Sequence, residues 1–167
     1  MRKYFSIILL AGLILGAISC KSNKENGSDS DNSTIMSIAD MNKQEGENYI
    51  ADMMKKDPSF KKTSSGLCYK ILNEGEGENF KPSDVVDVIY TGKHIDGSEF
   101  DSSKGETVQF PLQSVVPGFR EVITLMKPGA KAIAIIPGHL GYGDKGTGPI
   151  GPNETLVFEL TTVALHQ

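Results

Sequence analysis

Six side chains in this 167-residue sequence could enclose a reacting or bound group: Tyr90, Phe100, Asp101, Phe119, Tyr142 and Phe158. Five are aromatic and one is a carboxylate. An aromatic ring offers a large apolar surface, and a tyrosine adds a polar tip that suits the edge of a pocket. Phe119 and Phe158, taken singly, also read as ordinary core residues. Tyr142 does not, because it stands in the glycine-rich stretch PGHLGYGDKGTGPIGPN (137–153). Asp101 raises its own question. It follows Phe100 directly, and a carboxylate beside a core aromatic needs a reason.

The chemistry of nucleophiles and general bases has no comparable set of residues. His94, His139 and His166 are scattered, and none shares a motif with Cys or carboxylate at metal-ligand spacing. Each reads as a surface residue. No GxSxG, HExxH or P-loop lysine is present. Glu99 and Asp101 share a strand edge with Phe100 between them. Cys68 alternates with Leu67 and Tyr69 and reads as a small side chain on one face of a strand. Neither a metal nor a cofactor is expected. The net charge of −4, with no basic block beyond the first three residues, lacks the footprint of a nucleic-acid binder.

The elements that must hold the six residues follow from periodicity. GLCYKIL (66–72) and VVDVIYTG (85–92) alternate as strands, and Asp96-Gly97 marks a hairpin. ETVQFPL (106–112), AKAIAIIP (130–137) and ETLVFELTTVAL (154–165) are further strands. Between them, VPGFREVITLMKPG (116–129) puts Phe119, Val122, Ile123 and Met126 at helical spacing, with Pro117 in the first turn and Pro128-Gly129 as the stop. The result is an α+β domain over 62–167: five to six antiparallel strands and one short helix that must bury its apolar face on the sheet. A loop as long as 137–153 is usually functional or disordered, and Leu140, Tyr142 and Ile150 argue against disorder.

The preceding residues divide into three. MRKYFSIILLAGLILGAISC has a basic start and an apolar run from Phe5 to Ile18, shorter than the ~20 residues a membrane span needs. Residues 1–19 are therefore expected to be a secretory signal. Cys20, after Ala17-Ile18-Ser19, resembles the cysteine of a bacterial lipobox, with Ala17 where that motif usually has Leu. The resemblance implies lipidation at Cys20 and a membrane anchor in the cell envelope. Residues 21–34 contain no apolar side chain and read as a flexible linker. In the segment 35–61, Ile35, Ile38, Met41, Tyr49, Ile50, Met53 and Met54 form a ragged stripe that predicts a helix over about 38–56, ended by Asp57-Pro58. Such a helix could pack on the domain, pair with a second copy or serve as a spacer.

VIYTG, GSEFDSS, VVPGFREVITLMKPGAKAIAIIP, GYG and GPNETLVFEL stand in an order and spacing that resemble the FKBP-type peptidyl-prolyl isomerases, over residues 64–165. The resemblance implies a curved sheet wrapped around a short helix, with a prolyl pocket between them. It implies pocket walls of Tyr90, Phe100, Val115, Val116, Phe119, Ile150 and Phe158, with Asp101 and Tyr142 at the rim and the Val116 N–H facing a ligand carbonyl. Phe119 occupies the floor position commonly held by Trp, and this sequence contains no Trp. Val108 falls where a further aromatic is frequent, and Gly151 where Pro is frequent. The implied function is isomerisation of X–Pro bonds in exported proteins. A monomer is expected, since the 38–56 helix is shorter than a full dimerisation domain of the family. The implied partners are proline-containing polypeptides and macrolide inhibitors. A tethered chaperone using the same groove without catalysis is the alternative.

Overall fold

The computed structural model describes residues 36–166, and side chains up to Val163. The expected signal, Cys20 and the linker lie outside the described residues. Helix α1 spans Ile38–Lys56, the range the stripe predicts. Seven strands follow: β1 (Lys61–Lys62), β2 (Cys68–Asn73), β3 (Val85–His94), β4 (Glu99–Ser102), β5 (Val108–Pro111), β6 (Lys131–Ile136) and β7 (Leu156–His166). Helix α2, Pro117–Thr124, lies between β5 and β6. All strand pairs are antiparallel, in the order β1-β2-β6-β7-β3-β4, and β5 shares the free side of β3 with β4. The strand added to the expected set is β1. It is two exposed lysines, too short to leave an alternation.

One face of the sheet closes over α2. Leu67, Val86, Val88, Tyr90, Phe110, Ala132, Ala134, Ile136, Leu156, Phe158 and Leu160 form one buried cluster with Phe119, Val122, Ile123 and Met126. The strict alternation of burial along β3 places Val86, Val88, Tyr90 and Gly92 on this inner face. Helix α2 is short but well specified. Pro117 presets its first turn, and its apolar residues fall within one helical stripe.

Helix α1 covers the opposite face. Ile50 is buried with Phe60, Cys68 and Ile135, and Tyr49, Met53, Met54, Ile133 and Val157 pack around them. Of the three placements open to this helix, packing on the domain is the one observed. Cys68 is a fully buried small side chain, and burial raises its thiol pKa. The stripe is ragged because only its second half packs: Ile38 and Met41 are exposed. Ser37 caps the start by accepting from the Asp40 N–H (3.1 Å), and Lys70 pairs with Asp57 at the other end (2.6 Å).

Helix α1 comes close to the domain at Gly46. A Cβ added there would lie 1.9 Å from Thr155 Oγ1 and 2.6 Å from Thr155 Cβ. In a free helix, Gly→Ala stabilises by about 0.8–1.0 kcal/mol. Here the sign inverts: Gly46→Ala is expected to destabilise by about 1–3 kcal/mol, because Thr155 is buried directly before β7 and cannot yield freely. Urea denaturation measures it, and a stabilised Gly46→Ala protein would contradict the close packing.

Candidate active site

The aromatic floor is built by four elements. Phe119 from α2 meets Phe158 of β7 and Phe110 of β5 edge-to-face, with centroids at 5.5 and 5.6 Å, and meets Tyr90 of β3 at 6.4 Å. Tyr90 and Phe110 are themselves 5.5 Å apart. Edge-to-face geometry sets the positive edge of one ring against the negative face of the next. Phe110, not Val108, is the aromatic that β5 supplies. The register Val86↔Phe110 puts it on the inner face, and Val108, opposite Val88 on the same face, is only partly buried. Phe110 stands two residues beyond the position where the resemblance places an aromatic, on the face that the alternation Val108-Phe110-Leu112 predicts.

The pairing of Phe100 with Asp101 has a backbone cause. Asp101 pairs with Gly92 and Glu99 pairs with Lys93, so β4 carries one extra residue at this point. Regular alternation would send neighbouring side chains to opposite faces, and a bulge re-aims one of them. The Phe100 ring therefore reaches the Phe158 ring (5.7 Å), while Asp101 Oδ2 accepts the Tyr90 hydroxyl proton at 2.8 Å. Ser103 anchors the segment: its buried Oγ accepts the Tyr90 N–H (3.2 Å), and its own N–H donates to the Tyr90 carbonyl (3.0 Å).

The long loop is ordered by its own hydrogen bonds. Thr147 and Ile150 exchange backbone bonds of 2.9 and 2.8 Å, and the Asn153 N–H donates to the Gly143 carbonyl at 2.7 Å. Ile150 is buried within the same cluster as the aromatic floor, with Tyr142 packed against it. Val115 and Val116, also in this cluster, lead into α2. Among the described residues, no acceptor takes the Val116 N–H, so it is free to meet a carbonyl. All nine expected pocket residues are thus brought together: Tyr90, Phe100, Asp101, Val115, Val116, Phe119, Tyr142, Ile150 and Phe158.

His94 departs from expectation. It is not a free surface residue: its side chain is largely buried, hydrogen-bonded through Nδ1 with Glu154 and edge-on to Phe100 at 5.2 Å. His139 does stay exposed, with Nε2 2.9 Å from the Ser65 carbonyl. Spacing gave no signal for His94–Glu154, since 60 residues separate the partners.

Two phenols are strongly perturbed. Burial, with the Asp101 carboxylate adding to it, pushes the Tyr142 hydroxyl up to about 12. Burial and the hydrogen bond to Asp101 raise Tyr90 further still. Both stay neutral donors across physiological pH. Their folded-state pKa values exceed the unfolded value of about 10, so their contribution to stability is complete below that pH. For Tyr142 it is lost as pH rises from there through about 12. An ultraviolet phenolate titration should show these two ionising last, and Asp101→Asn should move Tyr142 downward.

The site is thus an antiparallel sheet closed over one short helix, with an aromatic cluster beside the Tyr90–Asp101 pair. Residues 76–163 match the family model of the FKBP-type peptidyl-prolyl cis-trans isomerases, and the chain belongs to that family. A probable FKBP-type peptidyl-prolyl cis-trans isomerase, FkpA, of Neisseria meningitidis is 45% identical over 130 residues, covering 76% of this chain and 47% of that protein. The FKBP-type 22 kDa peptidyl-prolyl cis-trans isomerase of Escherichia coli is 45% identical over 119 residues, covering 70% and 57%. The crystal structure of FkpA from Escherichia coli superposes with a TM-score of 0.73 at 40% identity, covering 76% of this chain and 60% of that one. A peptidyl-prolyl cis-trans isomerase structure from Pseudomonas syringae superposes at 0.71 with 30% identity, covering 84% of this chain and all of that one. The chain spans about half the length of the curated relatives it matches.

Proposed function

We propose that this chain catalyses cis–trans rotation about X–Pro bonds of polypeptides. The observation that supports this reading is the Tyr90–Asp101 hydrogen bond beside the aromatic cluster in which Val116 is buried and against which Tyr142 packs. The barrier to amide rotation is about 18–20 kcal/mol and arises from resonance that favours planarity. Rotation makes and breaks no covalent bond, so no nucleophile is required. The twisted amide has less charge separation than the planar one, and an apolar floor of Phe119, Phe158 and Tyr90 favours it. Tyr142 and the Val116 N–H orient the flanking carbonyls. Asp101 holds the Tyr90 hydroxyl and shapes the local field without transferring a proton. Each ~1.4 kcal/mol of preference for the twisted state gives a tenfold rate.

In this proposal the substrates are exported or envelope proteins, and the domain is a monomer tethered by a lipid on Cys20. The basic and apolar leader, the cysteine after Ala17-Ile18-Ser19 and the polar residues 21–34 support the tether. Loss of labelling by radioactive palmitate in Cys20→Ser would be its signature. Macrolides of the FKBP-directed type are proposed to enter the same pocket.

The deciding experiment is isomerisation of a short prolyl peptide by residues 21–167, with and without such a macrolide. Acceleration that is flat from about pH 6 to 8 supports the reading, because neither phenol titrates there. No acceleration by folded protein, together with suppressed aggregation of a proline-free client, would replace the enzyme by a tethered chaperone.

A further inference from the structure

We infer that Glu154 is a positioning residue that clamps two opposite walls of the pocket, through His94 on one side and the Gly151 N–H on the other. The inference rests on the isomerase reading and adds to it a residue outside the pocket lining.

The geometry is that of a two-armed carboxylate. Oε1 meets His94 Nδ1, and Oε2 accepts the Gly151 N–H at 2.6 Å. Both side chains of the pair are about one-fifth exposed, so neither arm is a loose surface contact. The His94 ring stands edge-on to Phe100, with centroids 5.2 Å apart, and Phe100 is the wall carried by the bulge in β4. Gly151 follows Ile150, the wall carried by the loop. One side chain thus fixes the spacing between a strand-borne wall and a loop-borne wall. Carboxylate–N–H bonds are short and directional, as a fixed spacing requires. Asn42 of α1 holds the same turn from outside, donating to the Pro152 carbonyl at 2.8 Å. Among the described residues, Glu154 makes no hydrogen bond to Tyr90 or Asp101. Its loss should therefore alter how a peptide is held more than how fast a held peptide rotates.

The test compares Glu154→Ser, Glu154→Gln and His94→Leu in the full chain. Expected for Glu154→Ser is a rise in KM of about fivefold or more, with kcat within about twofold of wild type. Glutamine can still accept from Gly151 and reach His94, so Glu154→Gln should stay within about twofold in KM. Methyl NMR of Ile150 and the Gly151 amide signal should shift in Glu154→Ser and hold in Glu154→Gln. The inference is overturned if KM of Glu154→Ser stays near wild type, or if kcat alone falls while the Ile150 and Gly151 signals stay in place. If Glu154→Ser does not fold, His94→Leu decides the question, since leucine keeps an apolar contact with Phe100. A wild-type chain without isomerase activity would end the catalytic reading, whereas the NMR signals would still report whether the clamp exists.

Discussion

Phe119→Ala should cost about 3–5 kcal/mol of stability, the range for removing a buried phenylalanine. The ring is 1% exposed and touches three others edge-to-face. Those contacts add to the area it buries, since each aromatic pair contributes about 0.5–1.5 kcal/mol. The cavity left behind cannot collapse, because Phe110, Tyr90 and Phe158 are fixed by β-sheet register. The melting temperature should drop by at least ~6 °C, taking the low end of ~2 °C per kcal/mol. Prolyl isomerisation should fall with it, even at temperatures where the variant stays folded, because the floor is gone. Phe119→Trp is the informative contrast. Its larger ring enters a site already packed on three sides and should cost about 1–3 kcal/mol by overpacking. Guanidinium denaturation of both variants tests this. A tryptophan variant as stable as wild type would mean that the floor has spare volume.

The second large effect is on activity. Gly92 lies on the inner face of β3, between Phe100 and Phe158. A Cβ there would fall 2.6 and 2.8 Å from Phe100 atoms and 2.9 Å from a Phe158 atom. Its backbone is not in the left-handed region, so alanine meets no conformational strain. Whatever Gly92→Ala does therefore comes from pushing the two rings apart. We expect kcat/KM to drop about ten- to a hundredfold, equivalent to about 1.4–2.7 kcal/mol at the transition state. The stability cost should be smaller than for Phe119→Ala, because no cavity opens and the partly exposed Phe100 ring has room to move. Peptide isomerisation measured beside circular dichroism separates the two quantities. Retained activity would show that the Phe100 ring is not a fixed wall.

These contrasts show what periodicity could and could not convey. Alternation located the strands because each has one face in the core, and the helical spacing of Phe119, Val122 and Ile123 located α2. The stripe in residues 38–56 predicted α1 but not its docking. The docking depends on Gly46, and glycine in a helix reads locally as a weakness. The bulge that turns Phe100 and Asp101 toward one site is invisible to a period-two reading, which sends neighbours to opposite faces. The inward face of Phe110 follows from the alternation Val108-Phe110-Leu112. The His94–Glu154 pair was not available at all, because it exists only once β3 and β7 are adjacent. Residues that pack were legible from their own neighbourhood. Residues that act through a distant partner became legible only in the fold.

The position of β7 carries a further consequence. The last strand of the chain lies between β6 and β3, and its pairing joins β1-β2-β6 to β3-β4-β5. A nascent chain that has not reached Leu156 therefore holds two half-sheets with unpaired edges and no bridge between them. Such a topology is slow to assemble, since its decisive contacts join residues far apart in sequence. The domain can complete its pocket only after β7 has been delivered, so its folding is delayed by the order of its own strands.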